Sequence, residues 1–528
     1  MNKVNQASLT APLAVPAFRS LWSASIVSNI GAMMQAVGAA WLMTSLTEST
    51  LLVGLVQTAA TMPVFLVGLV GGAMADLADR KKLLFWSQVW MLVMAALLGI
   101  LTLGHFTTPA VLLGLTFAIG LGRAIGLPAW QASVQDIVPK PLVASAVSLN
   151  SIAFNAARAV GPALGGLLVA ATGAAFAFFA NAASFLAVLF AVNAWKPEKA
   201  PAPRLGEDIF GAIRSGFRYL LHAPRLQAPI IRATMFGLCA AAVWSLLPLL
   251  ARDVLHTNAT GYGVLLGAFG AGSIVAGTFL PRLRNRFALE GILALGTALA
   301  AVAFFALSFC RQPWPAGVSL FFAGMAWVGV LVNFTVAVQT SVPDWVRGRA
   351  LAFYLLAFQG ALAISGALWG WLAGVIGISQ SFAVAAVGLI LSLAFSKLFP
   401  LESDEEIDLS PSPTWPELHA DLVADPDDGP VLVTIIYDIA EEDASNFRAL
   451  MRIMRERRLR DGARRWRLYH DAKDPERFLE LFRLDSWGEH LLQHQRTTME
   501  DRELEAKVLS LHRGKERPLA THYFGDDE

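Results

Sequence analysis

The sequence predicts an all-α polytopic membrane protein, with twelve transmembrane helices in two six-helix bundles, plus a C-terminal α+β soluble domain with a ferredoxin-like order of elements. Three observations carry this reading. Of 528 residues, 55% are hydrophobic and only 15% charged, a balance that excludes an ordinary globular enzyme. Twelve runs approach or exceed the roughly 20 apolar residues that a bilayer-crossing helix needs. After Phe399 the composition turns polar, and the short periods of strands and amphipathic helices replace the long apolar runs.

The runs lie at about 18–45, 51–75, 83–104, 108–131, 145–171, 174–195, 228–250, 260–280, 288–309, 316–340, 349–375 and 380–399. Only Thr172-Gly173 separates the fifth from the sixth, and only Gly377–Ser379 the eleventh from the twelfth, so both hairpins must turn tightly. The N-terminus has no compact apolar core followed by a small-residue cleavage site, and the first run reads as a retained span. Basic residues concentrate in the loops after even-numbered spans, among them Arg80, Lys81, Lys82, Lys140, Arg282, Arg284, Arg286 and Arg347. Short-loop Lys and Arg mark the cytoplasmic side, which places both termini there, in an inner membrane. The expected divisions are an N-terminal bundle (1–195), a cytoplasmic central loop (196–227), a C-terminal bundle (228–399), an acidic Pro-containing linker (400–430) and a cytoplasmic domain (431–528). Cys239 and Cys310 sit in or beside apolar runs and make no disulfide framework.

Arg123 and Arg158 fall near the middle of the fourth and fifth runs, which contain no Asp or Glu at that depth. A guanidinium at the bilayer centre costs about 2.5–3.5 kcal/mol on insertion scales, so it is commonly paired, cavity-facing or functional. Two readings stay open for each: a ligand in a polar pocket for anionic or acceptor-rich cargo, or a cap on the carbonyls of a neighbouring helix. Asn29 and Gln35 in the first span and Asn333 in the tenth are further polar candidates for substrate binding. Trp244 in the seventh offers a stacking surface. For each of these four, helix packing is the competing role.

The two halves repeat at an offset of about 204 residues: Val134–Pro139 (VQDIVP) recurs as Val338–Pro343 (VQTSVP), and Gly120 and Gly166 match Gly324 and Gly370. Parallel six-span repeats organise one class of secondary transporters. Between the second and third spans, Gly72, Asp76, Arg80 and Lys81 fall in GAMADLADRKK, with Asp79 where a second glycine is usual. This resembles the loop motif of the major facilitator superfamily, where a carboxylate and basic residues at helix ends can lock one access state. The corresponding second-half loop, GTFLPRLRNR, has Pro281 in place of the acid. Gly161, Pro162, Gly165 and Gly166 in the fifth span (GPALGG) permit close helix contact and a kink. They resemble the fifth-helix motif of the superfamily's exporters and antiporters. More narrowly, GLPAWQASVQDIVP with ASAVSLNSIAFNAARAVGPALGG is similar to the enterobactin-exporter-like, or transmembrane secretion effector, branch. That resemblance implies secondary-active export of siderophores or drugs, with proton antiport and no cofactor. The residues themselves show no deep carboxylate for coupling, and Asp76 and Asp136 at the span edges are the candidates. No GxxxxGK[ST] phosphate loop is present, which disfavours an ATP-driven pump.

The linker stretch ESDEEIDLSPSPTWPEL should be extended. Beyond it, VLVTIIYDI, RRWRLYHD, RFLELFRL and PLATHYF read as strands, Phe447, Leu450, Met451 and Met454 mark an amphipathic helix, and one long helix is expected from about Trp487 to Leu511. This order resembles small antibiotic-biosynthesis-monooxygenase-type domains, which implies dimerisation. His490 and His494, one helical turn apart with His470 on a strand, lack an evident third or fourth metal ligand and read as structural. The basic run from Arg455 to Arg467 reads as a solvated face able to touch anionic lipids or the acidic linker. No nucleic-acid motif stands out. Three functions compete: an exporter of a small organic molecule, a membrane-anchored sensor or scaffold working through the tail, and a tail enzyme.

Overall fold

The computed structural model describes residues 9–77, 79–196, 209–401, 408–410, 412, 425–514 and 516–525. The side chains of residues 69, 72–77, 209, 210, 212 and 213 lie outside the description. Most of the acidic linker therefore also falls outside it.

Among the described residues, twelve helices are long and apolar enough to cross a membrane. The first six spans are α1 (Pro16–Leu46), α2 (Thr50–Leu77), α3 (Arg80–Leu103), α4 (Pro109–Ile137), α5 (Val143–Thr172) and α6 (Ala174–Ala194). A helix not expected from the sequence, α7 (Ile209–His222), occupies the central loop. Its polar surroundings concealed an amphipathic segment too short to span. The seventh span is broken into α8 (Pro224–Ala240), α9 (Ala242–Leu249) and a π-turn at Leu250–Val254. Then follow α10 (Ala259–Arg284), α11 (Leu289–Phe309), α12 (Pro313–Thr340), α13 (Asp344–Ile376) and α14 (Ile378–Leu398).

By their contacts the residues form two compact units. The first holds 1–205, 231–334 and 354–400; the second holds 206–230, 335–353 and 401–528.

In the first unit, both tight hairpins turn on one glycine each: Gly173 at φ 91° and Gly377 at φ 94°. That left-handed region is open to glycine at little cost, and the two positions are repeat equivalents. Asp79 does not loosen the turn it occupies. It caps α3, its carboxylate accepting from the backbone N–H groups of Lys81 and Lys82. Small residues then bring helices together. Thr50 Oγ1 donates to Gly370 O at 2.7 Å and Thr58 Oγ1 to Ala363 O at 2.6 Å, joining the second span to the eleventh. A methyl group on Gly54 would lie 2.9 Å from Gly370 Cα, and one on Gly166 would lie 2.8 Å from Gly263 Cα, where the fifth span meets the eighth. Without a hydrophobic drive between helices in lipid, such backbone approach supplies the packing.

The second unit contains a four-stranded antiparallel sheet in the order β2-β3-β1-β4, with β1 Val431–Asp438, β2 Arg465–His470, β3 Arg477–Leu484 and β4 Ala520–Phe524. Val431, Val433, Ile435 and Tyr437 alternate inward along β1 and meet Phe447, Met451 and Met454 of α15 (Ala444–Asp461), as the amphipathic period requires. The expected long helix is two helices, α16 (Trp487–Arg496) and α17 (Met499–Leu509). Thr498 interrupts it by capping α17: its hydroxyl accepts from the Asp501 N–H while the Asp501 carboxylate accepts from the Thr498 N–H at 3.0 Å. The basic run is likewise not a solvated face along its length. Arg457, Arg458 and Arg460 are turned into ion pairs with Glu500, Glu480, Asp461 and Asp501.

Adding a methyl group at Gly54 forces apart backbone atoms of the second and eleventh spans, whereas Gly114 faces open space. Gly54→Ala is expected to cost about 1–3 kcal/mol, as overpacking does. Gly114→Ala should leave stability unchanged. Melting curves of the purified protein in detergent check the contrast.

Candidate transport site

The fourth and fifth spans bring Arg123 and Arg158 within reach of each other's charge. The Arg123 side chain is exposed on its span, and that of Arg158 is half-buried. Among the described residues neither guanidinium has a carboxylate or a hydrogen-bonding partner. Arg158 instead lies over two rings: its guanidinium carbon is 5.5 Å from the Phe154 centroid and 5.7 Å from that of Trp244. Trp244 belongs to an aromatic cluster, with Phe269 at 5.1 Å and Trp327 at 5.9 Å between centroids. Two like charges at this depth repel, and cation–π contact at Arg158 offsets only part of the cost. The arrangement therefore presents two guanidiniums without partners among the described residues, that of Arg158 against an aromatic wall.

The other polar candidates separate into two kinds. Gln35 is buried and accepts a hydrogen bond from Asn181 of the sixth span. Asn333 is also buried; it accepts from Arg284 Nε at 2.9 Å and donates to Gly329 O at 2.5 Å. Both are taken up by helix packing. Asn29 is half-buried, with no hydrogen-bonding partner among the described residues.

Around the expected gating motifs, Arg80 pairs with Asp136 at 2.7 Å, and Lys81 Nζ caps the end of the sixth span by donating to Trp195 O at 2.5 Å and Asn193 O at 3.1 Å. These fasten the second–third junction to the fourth and sixth spans. The side chain of Asp76 and the residue at Gly72 lie among the undescribed side chains. In the fifth-span motif, methyl groups on Gly161 and Gly165 would meet Met33 and Met34 of the first span at 2.6 and 2.7 Å. Gly166 and the Pro162 carbonyl face Gly263 of the eighth. The four residues thus set the fifth span between one helix from each half.

One membrane ion pair was not foreseen. Arg232 of the seventh span forms a bidentate bridge to Glu290 of the ninth at 2.5 and 2.8 Å, and also reaches Phe399 O at 3.4 Å. Arg232 stood at a span edge among loop charges, so its sequence signal was indistinguishable from a topology marker.

In the C-terminal domain a third histidine joins the expected pair. His490 Nε2 lies 2.9 Å from both His494 Nε2 and His522 Nε2. Among the described residues no group of three or more His, Cys, Asp or Glu is arranged to hold a metal ion. Burial, reinforced by the neighbouring His522 charge, pushes His490 down to about 3. Burial and the charge of His490 push His494 down to about 2. Both rings are therefore neutral at physiological pH.

These spans and their contacts define a secondary transporter scaffold. The chain belongs to the transmembrane secretion effector family of the major facilitator superfamily, whose sequence model matches residues 7–528. It is 24% identical to the staphyloferrin A transporter of Staphylococcus aureus, over 70% of this chain and 92% of that protein. To the enterobactin exporter EntS of Shigella boydii it is 25% identical, over 71% and 90% respectively. Its fold is similar to that of a bacterial homolog of the human lysosomal transporter Spinster in an inward-facing conformation, with TM-score 0.59 and 14% identity over 72% of this chain and 96% of that one.

Removing Glu290 strands Arg232, which is 6% exposed. Glu290→Ala is expected to destabilise the protein by less than the about 3–5 kcal/mol typical of a fully buried pair, because Glu290 itself is 38% exposed. The double variant Arg232→Met/Glu290→Met should melt closer to the parent than the single one does. The histidine cluster sets a pH dependence with a defined sign. A neutral ring with lowered proton affinity binds fewer protons folded than unfolded, so its stability contribution is complete above about 6.5 and falls as pH drops toward about 3. Proteolytic release of the C-terminal domain from the full chain should accelerate from pH 7.5 to pH 5.5, and His490→Phe should flatten that difference.

Proposed function

We propose that this protein is a secondary-active exporter of a small organic anion, working by alternating access of its two halves in the cytoplasmic membrane, with both termini on the cytoplasmic side. The observation that carries the proposal is the Arg123–Arg158 pair: two guanidiniums on adjacent spans, each within the other's electrostatic reach, and neither with a carboxylate partner among the described residues. A carboxylate- or hydroxyl-rich cargo would satisfy both forks in the bidentate manner that arginine favours. Trp244 and its aromatic neighbours would cover the cargo's apolar part. Relatives that carry staphyloferrin A and enterobactin in their names support a siderophore-like cargo. A pump for lipophilic cations would want a carboxylate at this position instead.

The span ends opposite the basic loops are closed by Gly54–Gly370 and Gly166–Gly263 contact, which suits a state open toward the basic, cytoplasmic side. Coupling is assigned to proton antiport through Asp136 or Asp76. Protonation of Asp136 would remove its ion pair with Arg80 and so weaken one tie between the third and fourth spans. The strand order β2-β3-β1-β4, all antiparallel, supports a ferredoxin-like reading of the C-terminal domain.

Arg123→Ala is expected to lower efflux by about tenfold or more while changing membrane abundance far less. Accumulation assays in cells lacking other exporters, paired with immunodetection, check this. Equal loss of both quantities would assign Arg123 to folding. Greater retention of cationic dyes in cells lacking the protein than in cells expressing it would count against an anionic cargo.

A further inference from the structure

The second compact unit joins three stretches far apart in sequence: α7 with the residues leading into the seventh span, the segment 335–353 between the tenth and eleventh spans, and the C-terminal domain. Its interior is built from stacked cations and rings. The Arg460 guanidinium carbon lies 5.4 Å from the Tyr219 ring centroid, and that of Arg496 lies 4.8 Å from the Trp345 ring. Tyr219 and Trp345 themselves meet edge to face at 5.6 Å. One ring from α7 and one from the head of the eleventh span therefore touch each other, and each receives an arginine from the C-terminal domain.

Charge pairs surround this centre. Arg225 Nη1 donates to Glu500 Oε1 at 2.6 Å, Arg218 Nη2 to Glu489 Oε2 at 3.4 Å, and His222 Nδ1 faces Glu456 Oε2 at 2.9 Å. Arg349 Nη1 donates to Ser215 Oγ at 2.7 Å, closing α7 onto the eleventh-span head. The arginines are held from behind by carboxylates: Arg460 by Asp461 and Asp501, Arg457 by Glu500 and Asp501. Asp501 is desolvated, which opposes ionisation, yet Arg460, Arg457 and the Thr498 cap hold it down to about 2. Buried aromatic and arginine anchors ringed by polar pairs are the anatomy of a specific interface rather than of a loose tether.

We propose that the C-terminal domain is a docked conformational clamp that binds one arrangement of these helix ends better than the other. Its footprint covers residues continuous in the chain with the cytoplasmic ends of the seventh, tenth and eleventh spans. A domain that binds one arrangement of those ends better than another shifts the transporter toward it by that difference in affinity. The inference rests on alternating access, but its test measures distances and uses no efflux reading, so its failure is separable from failure of the exporter proposal.

The test uses the full chain in lipid nanodiscs, with Cys239 and Cys310 replaced by serine, and pulsed-EPR distances from two label pairs. Labels at Leu221 and Ile453, both exposed, report docking; labels at Glu48 and Gln380, also exposed, report the span ends opposite the basic loops. The variant Tyr219→Ala/His222→Glu removes one ring and places a carboxylate against Glu456. It should broaden the first distance and raise the population with those opposite ends apart by at least about fivefold, the low end of ordinary coupling. Because His222→Glu/Glu456→Arg restores an ion pair, it should return both distances to those of the parent. If the double variant does not accumulate, His222→Glu alone is compared with its rescued partner. The proposal is overturned if docking is lost while the second distance stays unchanged, or if the first distance does not respond.

Discussion

Two positive charges within each other's electrostatic reach at membrane depth are the constraint on which the proposed transport site turns. Arg123 and Arg158 each cost free energy in lipid, and their mutual repulsion adds to it. A structural arginine is ordinarily given a carboxylate or a ring of carbonyls, as Arg232 is given Glu290. The contrast within one protein is instructive. Where a cation serves packing, its partner is supplied by the neighbouring helix; at Arg123 and Arg158 the described residues supply none, and the proposed cargo would.

The surrounding scaffold makes that arrangement affordable through close helix contact. Glycine-to-glycine approach joins the second span to the eleventh and the fifth to the eighth, and threonine hydroxyls donating to opposing carbonyls fix the register. The fifth span is central in both respects. It carries Arg158 toward Trp244, while Gly161 and Gly165 seat it on the first span and Gly166 on the eighth. A displacement of this helix would move the cation and the interface together, which would couple the proposed cargo binding to the packing of the halves.

Much of the membrane architecture was legible in the sequence because its signals are long-range and redundant. Twelve apolar runs and the Gly173 and Gly377 turns each correspond to a structural feature. The misses share a cause. Apolar length says nothing about which polar side chain finds a partner, so Gln35 and Asn333 stood equal with Asn29 until Asn181 and Arg284 were seen to engage the first two. The pairs Arg218–Glu489 and Arg225–Glu500 join residues 271 and 275 positions apart, beyond any local period. The Thr498 cap hid inside a pattern that stays helical on both sides. His522 stood too far along the chain to be associated with His490.

The most direct test of the central claim reads the electrostatic character of the site itself. With Cys239 and Cys310 removed, the thiol of Arg123→Cys is reacted in membrane vesicles with anionic and cationic methanethiosulfonates of similar size, with Arg158 left in place. A wet, cationic vestibule is expected to favour the anionic reagent by about tenfold or more, with the preference abolished by Arg158→Gln. Equal rates for the two reagents, or no reaction from either side of the membrane, would contradict an anion-binding site at these two arginines.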